Sequence, residues 1–196
     1  IITARTGADS QGRLLANQVR IISDTGASAS LGGTILDVSM ETCCGPYNIP
    51  NVDIDAYCVY TNNTMAGSFR GFGAPQAHFA AESQMDEIAK KFGMDPLDFR
   101  LLNILRPGTL TATSQMVDEA CGLEECIKRA TLESDWYRKR REFPSMNGTK
   151  RRGLGIDIMY HGNSLGPEGS DYAAVHVTIK PNARVVVRTA LTEYGT

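Results

Sequence analysis

Two apolar runs, 1-IITAR-5 and 14-LLANQVRII-22, flank the polar stretch 7-GADSQG-12, a pattern that predicts a β-hairpin closed by a tight turn. The next segment, 25-TGASASLGG-33, is small and glycine-rich and reads as a loop where backbones approach closely. Residues 34–44 follow neither a helical nor a strand period clearly, and both assignments stay open. In 52-VDIDAYCVY-60 the period is two: Val52, Ile54, Ala56, Cys58 and Tyr60 share one face of a half-buried strand.

After residue 74 the period changes. Phe79, Ala81, Met85, Ile88, Ala89 and Phe92 recur at helical spacing, with Pro75 suited to the first turn and Gly93 to the C-terminal cap. Asp95 then reads as the N-cap of a second helix, Pro96 as its first residue and Asp98 as an acid facing free N–H groups; 106-RPG-108 stops it. Two more helices are expected near 121–132 and 134–142, the latter capped by Ser134 or Asp135. Strands return at 154-LGIDIMYH-161, 172-YAAVHVTIK-180 and 184-RVVVRTALT-192, the last two joined as a hairpin by 181-PNA-183. The order is strands, a helical segment, then strands, which defines an α+β fold. Its parts are a β-rich stretch 1–73, a helical stretch 74–143 and a β-rich stretch 151–196, all within one domain, 1–196.

Composition narrows the classes. In 196 residues, 20 Lys+Arg against 22 Asp+Glu leave no global field to draw nucleic acid or an acidic membrane. No apolar run reaches the roughly 18 residues a membrane span needs. The five cysteines (43, 44, 58, 121 and 126) are odd in number and lack CxxC spacing, so reduced thiols and a cytoplasmic setting are expected rather than disulfides or structural zinc. The chain opens without Met inside a predicted strand and ends on 192-TEYGT-196; we therefore expect a piece of a longer polypeptide, with no signal peptide at its start.

The chemistry concentrates in 68-SFRGFGAPQ-76. Glycines 67, 71 and 73 allow positive φ and outward N–H groups just before a helix start, which suits an anion or oxo group. Arg70 adds a fixed charge, and Phe69 and Phe72 add flat walls. The competing assignment is a tight turn whose arginine pairs with a carboxylate. No dinucleotide fingerprint or P-loop occurs. The basic residues 138–141 and 150–152 read as a solvated face without a nucleic-acid readout motif. His78, His161 and His176 share no ligand spacing, and no nucleophile–base unit is evident.

The combination 69-FRGFGAPQ-76 followed by 80-AAESQMDEIAKKFGMDPLDFRLLNIL-105 resembles the molybdenum-binding region of the xanthine dehydrogenase / aldehyde oxidase family, the molybdenum hydroxylases. The segments 23-SDTGASASLGG-33, 46-PYNIPNVDIDAYCVYTN-62, 152-RGLGI-156 and 189-TALTEYG-195 resemble it as well, so the likeness runs along the whole chain. It implies a molybdopterin-bound molybdenum with no side-chain ligand, hydroxylation of an electron-poor carbon in a small heterocycle or aldehyde, and electrons leaving through Fe–S clusters and FAD on other domains or subunits. It places Phe69, Arg70, Gly71, Gly195 and Thr196 at the cofactor and Phe72, Val38 and Leu165 at the substrate. Phe72 matches an aromatic that stacks on a flat substrate ring.

Three positions depart from that pattern. Val38 stands where purine-oxidising members carry a substrate-orienting arginine, Leu165 where an opposing aromatic falls, and Thr196 at a cofactor-touching glutamine. The family's general-base glutamate lies downstream of these residues, and none of Glu41, Glu82 or Glu168 takes that role. The isolated piece is expected to be inactive. The competing class is a member that keeps the fold and serves assembly or binding alone.

Overall fold

A computed structural model describes residues 1–143, 148–162 and 172–190. By contacts it divides into two units, Ile1–Tyr160 and His161–Thr196.

In the first unit, β1 (Ile2–Ala8) and β2 (Leu14–Gly26) form the expected hairpin. Asp9 closes its turn, accepting from the Gln11 and Arg13 amides at 2.8 and 2.9 Å. Strand β3 (Asn51–Tyr60) pairs parallel to β2, completing a sheet of order β1-β2-β3. A parallel pair needs a crossover, and α1 (Gly32–Thr42) provides it. The undecided residues 34–44 are therefore mostly helical. β-branched Thr34, Ile35 and Val38 and a glycine pair weaken the local signal, and packing against β2, β3 and α2 overrides it.

Helix α2 (Ala74–Phe92) starts and stops where expected, with Gly93 left-handed at its C-cap. Its inner face is Ala74, Ala77, His78, Ala81, Glu82, Met85, Ile88 and Ala89. Phe79, expected among the inward positions, is 77% exposed; the buried stripe runs through His78 and Glu82 instead. Helix α3 (Pro96–Asn103) is capped as predicted, the Asp95 carboxylate accepting from the Leu97 amide at 2.9 Å. Asn103 is buried and uses its whole amide group. It accepts from the Leu14 amide and donates to the Gly12 and Phe99 carbonyls, tying α3 to the hairpin turn.

Helices α4 (Leu123–Ser134) and α5 (Trp136–Glu142) follow. Asp135 sits at the start of α5 but is left-handed and makes no capping bond; its carboxylate pairs with Arg138. The buried Trp136 indole donates to Asp95 at 2.9 Å, docking α5 on the start of α3.

The expected strand 154–161 is not one. Residues 154–160 join no sheet; two alternate amides bond to side chains of α2 instead. The Ile158 amide donates to Glu82 at 3.1 Å and the Tyr160 amide to His78 Nε2 at 3.3 Å. Acceptors four residues apart on α2 thus meet amides two residues apart on the segment. The match is one of rise, since a helical turn covers about the length of two extended residues. In the second unit, β4 (Val175–Ile179) and β5 (Val185–Thr189) form the expected antiparallel hairpin.

Candidate cofactor and substrate site

Residues 66–73 connect the sheet to α2 and end in three consecutive positive φ angles: Gly71 at 73°, Phe72 at 49° and Gly73 at 96°. A Cβ at Gly73 would collide with the Ile35 carbonyl and the Ser39 hydroxyl, so the loop lies directly on α1. Phe72 has a Cβ and still adopts the left-handed region, a strain of about 1–3 kcal/mol that surrounding contacts must hold. Its amide donates to Ser68 Oγ at 3.1 Å.

Arg70 is exposed and lies over its neighbour Phe69, 5.4 Å from the ring centroid. Among the described residues it has no carboxylate partner. The ordinary-turn assignment required one, so this observation favours a loop that presents its charge outward. Phe69 is 92% exposed, Phe72 is half-buried, and Val38 is half-buried on α1.

Beneath the loop lies a cleft of about 250 Å³, lined by Thr25, Gly32, Ser39, Gly67 and Gly73, by the Asp24 carboxylate and by an apolar side of Ile1, Ile2, Ile21, Ile22 and Ile35; residues 69–72 border it without lining it. Two helices begin at its wall. Helices α1 and α2 both lack a side-chain cap and any acid in the first turn. By contrast, α3 has its Asp95 cap and Asp98, and α4 has Glu124 and Glu125. Helix α5 likewise lacks a side-chain cap and a first-turn acid. The starts of α1 and α2 border the same cleft at Gly32 and Gly73, with Arg70 on the adjoining loop; in α2 the Ala74 amide donates to the Gly71 carbonyl and Pro75 has no N–H. Arg70 and the α1 start suit a ligand bearing anionic oxygens, such as a molybdopterin group, while the Asp24 carboxylate on the same cleft opposes one. The close main-chain approach at Gly73 is to Ile35 and Ser39 of α1.

A bulge at the end of β2 shapes the cleft. The register slips between Asp24 and Gly26, turning Thr25 inward, where its hydroxyl contacts the Ser28 and Ala29 carbonyls at 3.1 and 3.0 Å. Hydrogen bonds from Thr61 and Asn63, with the Gly26 amide, hold the Asp24 carboxyl below its ordinary range.

About two helical turns along α2 the chemistry reverses. Glu82 accepts from the Tyr47 hydroxyl at 2.5 Å, Arg100 Nε at 2.8 Å and the Ile158 amide at 3.1 Å. Arg100, 0% exposed, also reaches Asp86 at 2.8 Å and the Pro96 and Glu82 carbonyls. Burial and then the Glu82 charge push the Tyr47 hydroxyl up. Glu82 is thus a structural acid. His78 is buried too: Nδ1 bonds the Ala74 carbonyl at 2.9 Å and Nε2 accepts from Tyr160, which fixes the Nδ1–H tautomer. The Tyr160 hydroxyl in turn donates to the Glu41 carbonyl at 2.5 Å.

The structure thus brings Phe69, Arg70, Gly71 and Phe72 together on one loop packed on α1, the helix that carries Val38. Leu165, Gly195 and Thr196, with Glu168, lie outside the described residues. Sequence reasoning assigned no role to Thr25, Ser39 or Ser68, whose hydroxyls bond the loops; Thr25 and Ser68 open segments marked as loops for their glycines, and only the folded hydrogen bonds single the three side chains out. Among the described residues no group of three or more His, Cys, Asp and Glu is arranged to hold a metal ion, and no helix is long and apolar enough to cross a membrane. All five cysteines are free thiols. In the basic stretch, Arg138 is paired with Asp135 and Glu142, and Arg140 covers Trp136 and reaches the Leu154 carbonyl.

Fold and site together define an α+β domain in which α1 and α2 begin at one cleft beside a glycine-rich loop. Residues 1–104 match the family described as the molybdopterin cofactor-binding domain, and the chain belongs to that family. It is 48% identical over 126 residues to the nicotinate dehydrogenase large molybdopterin subunit of Eubacterium barkeri, covering 64% of this chain and 30% of that protein. It is 37% identical over 195 residues to a probable xanthine dehydrogenase subunit of Bacillus subtilis, covering 99% of this chain and 26% of that protein. Among solved structures, the aldehyde oxidoreductase of Desulfovibrio desulfuricans superposes with a TM-score of 0.81 at 28% identity, covering 95% of this chain and 20% of that one. The chain therefore spans under a third of the length of these curated relatives.

Proposed function

We propose that this chain forms part of the molybdopterin and substrate site of a molybdenum hydroxylase large subunit, an oxidoreductase that hydroxylates a heterocycle or an aldehyde. The observation that carries this is the cleft where two uncapped helix starts meet beside an arginine with no carboxylate partner among the described residues. The relatives' names agree: one is a nicotinate dehydrogenase subunit, another an aldehyde oxidoreductase.

In this reading Phe69, Arg70 and Gly71 lie against the cofactor. Arg70 offers a fixed cation to anionic oxygens, and the left-handed loop lets main-chain N–H groups approach them. When bound, the molybdenum cofactor supplies the redox chemistry. Phe72 offers a face to a flat substrate ring, and Val38 supplies an apolar wall. Glu82 is committed to Arg100 and Tyr47, so no proton-transfer role is assigned to it. Fe–S and flavin domains or subunits are the electron-accepting partners, and the free thiols go with a cytoplasmic setting.

Metal analysis of the full-length protein, produced with ample molybdate, tests the reading. About one molybdenum per large subunit is expected. Absence of molybdenum would overturn it in favour of an assembly or binding role.

A further inference from the structure

The strain at Phe72 points to residues outside the motif. Three successive left-handed residues are rare, and Phe72 is the one with a side chain. Two hydroxyls hold the run. Ser68 Oγ accepts from the Phe72 amide at 3.1 Å. Ser39 Oγ, on α1, lies 3.2 Å from the Gly73 carbonyl and 3.0 Å from the Ile35 carbonyl, sharing its proton between them. Ser39 is 7% exposed, so its bond to the loop is shielded from water. The two bonds act on either side of Phe72, one on its own amide and one on the next residue. They also refer the ring to α1, the helix that carries Val38.

We propose that Ser68 and Ser39 are positioning residues: they hold Phe72 in its left-handed conformation and thereby set the pose of its ring toward the substrate. The proposal rests on the reading of Phe72 as a substrate-facing aromatic. Neither serine touches substrate in it; each acts through the main chain on either side of the ring. Loss of one bond lets the loop relax toward the ordinary φ region, where the ring points elsewhere.

The test uses the full-length, molybdenum-loaded protein. Amide hydrogen exchange is followed on the peptide containing Phe72, and nicotinate, a flat heterocycle, is titrated by calorimetry. Ser68→Ala should speed exchange at the loop and raise the nicotinate Kd, each about fivefold, the worth of one ordinary hydrogen bond. Molybdenum content should stay unchanged, and Ser68→Thr, which restores the hydroxyl, should restore both readouts. Ser39→Ala should act in the same direction; if it fails to fold, Ser68→Ala decides alone. Unchanged exchange in Ser68→Ala overturns the brace. Faster exchange with unchanged Kd, while Phe72→Ala raises Kd, overturns the positioning role. If Phe72→Ala leaves the Kd unchanged, or the wild type has no measurable affinity for nicotinate, the reading of Phe72 fails and the proposal falls with it.

Discussion

Arg70 and Arg100 are the same chemical group in opposite circumstances. Arg100 is completely buried and answered by Glu82, Asp86 and two carbonyls. Arg70 is exposed, rests on a phenylalanine and has no carboxylate partner among the described residues. A buried guanidinium survives only with its donors matched, so Arg100 fastens α3 to α2, and its partner Glu82 holds the Ile158 amide of the segment 154–160. In the proposed function, the exposed one on the loop before α2 is left for a ligand. The contrast separates the half of α2 that fastens the fold from the end to which the proposed function assigns the site.

Removing the Arg100 partner should have the largest effect. Glu82→Ala leaves a buried guanidinium short of its charge partner and frees the Ile158 amide. We expect a loss of about 3–5 kcal/mol, read by chemical denaturation. A loss under about 1 kcal/mol, the scale of an exposed pair, would erase the distinction.

The mirror experiment is Arg70→Ala. Turnover of the full-length enzyme should fall on the order of 100-fold, as for other preorganised electrostatic donors. Stability should change by no more than about 0.5 kcal/mol. Unchanged turnover would remove Arg70 from the site.

Between the two lies Gly73→Ala. The added methyl meets Ile35 and Ser39 at a φ of 96°, and a cost of about 1–3 kcal/mol is expected. Hydrogen exchange in the loop should rise with it. Retained protection would show that the loop does not depend on its contact with α1.

The smallest effect concerns Tyr47. Its folded-state pKa is raised by burial and by Glu82. Its contribution is therefore fully present below the ordinary tyrosine value of 10.0 and is lost as pH rises above it. Tyr47→Phe should cost about 0.5–1.5 kcal/mol at neutral pH, because Glu82 loses one donor and keeps those of Arg100 and Ile158. It should also flatten the alkaline fall of the melting temperature. An equal alkaline slope in both proteins would clear Tyr47.

Local chemistry made much of this legible in the sequence. The first hairpin, β3, the bounds of α2, the Asp95 cap with Pro96, and the β4–β5 hairpin each follow from periodicity and turn residues acting within a few positions. The loop around Arg70 stood out for the same reason, and its family resemblance agreed with the match of residues 1–104. Other features were decided only by tertiary structure. Helix α1 forms because a parallel β2–β3 pair requires a crossover, although its own residues are poor helix formers. Residues 154–160 alternate like a strand, yet their amides bond His78 and Glu82, acceptors some 80 positions away. Phe79 has the period of a core residue and faces outward, because polar His78 and Glu82 are stabilised inside by bonds no local pattern records. Likewise the sequence shows an arginine among glycines, while the fold leaves it without a carboxylate among the described residues. Pairing of that kind depends on distance in space, which residue spacing does not encode.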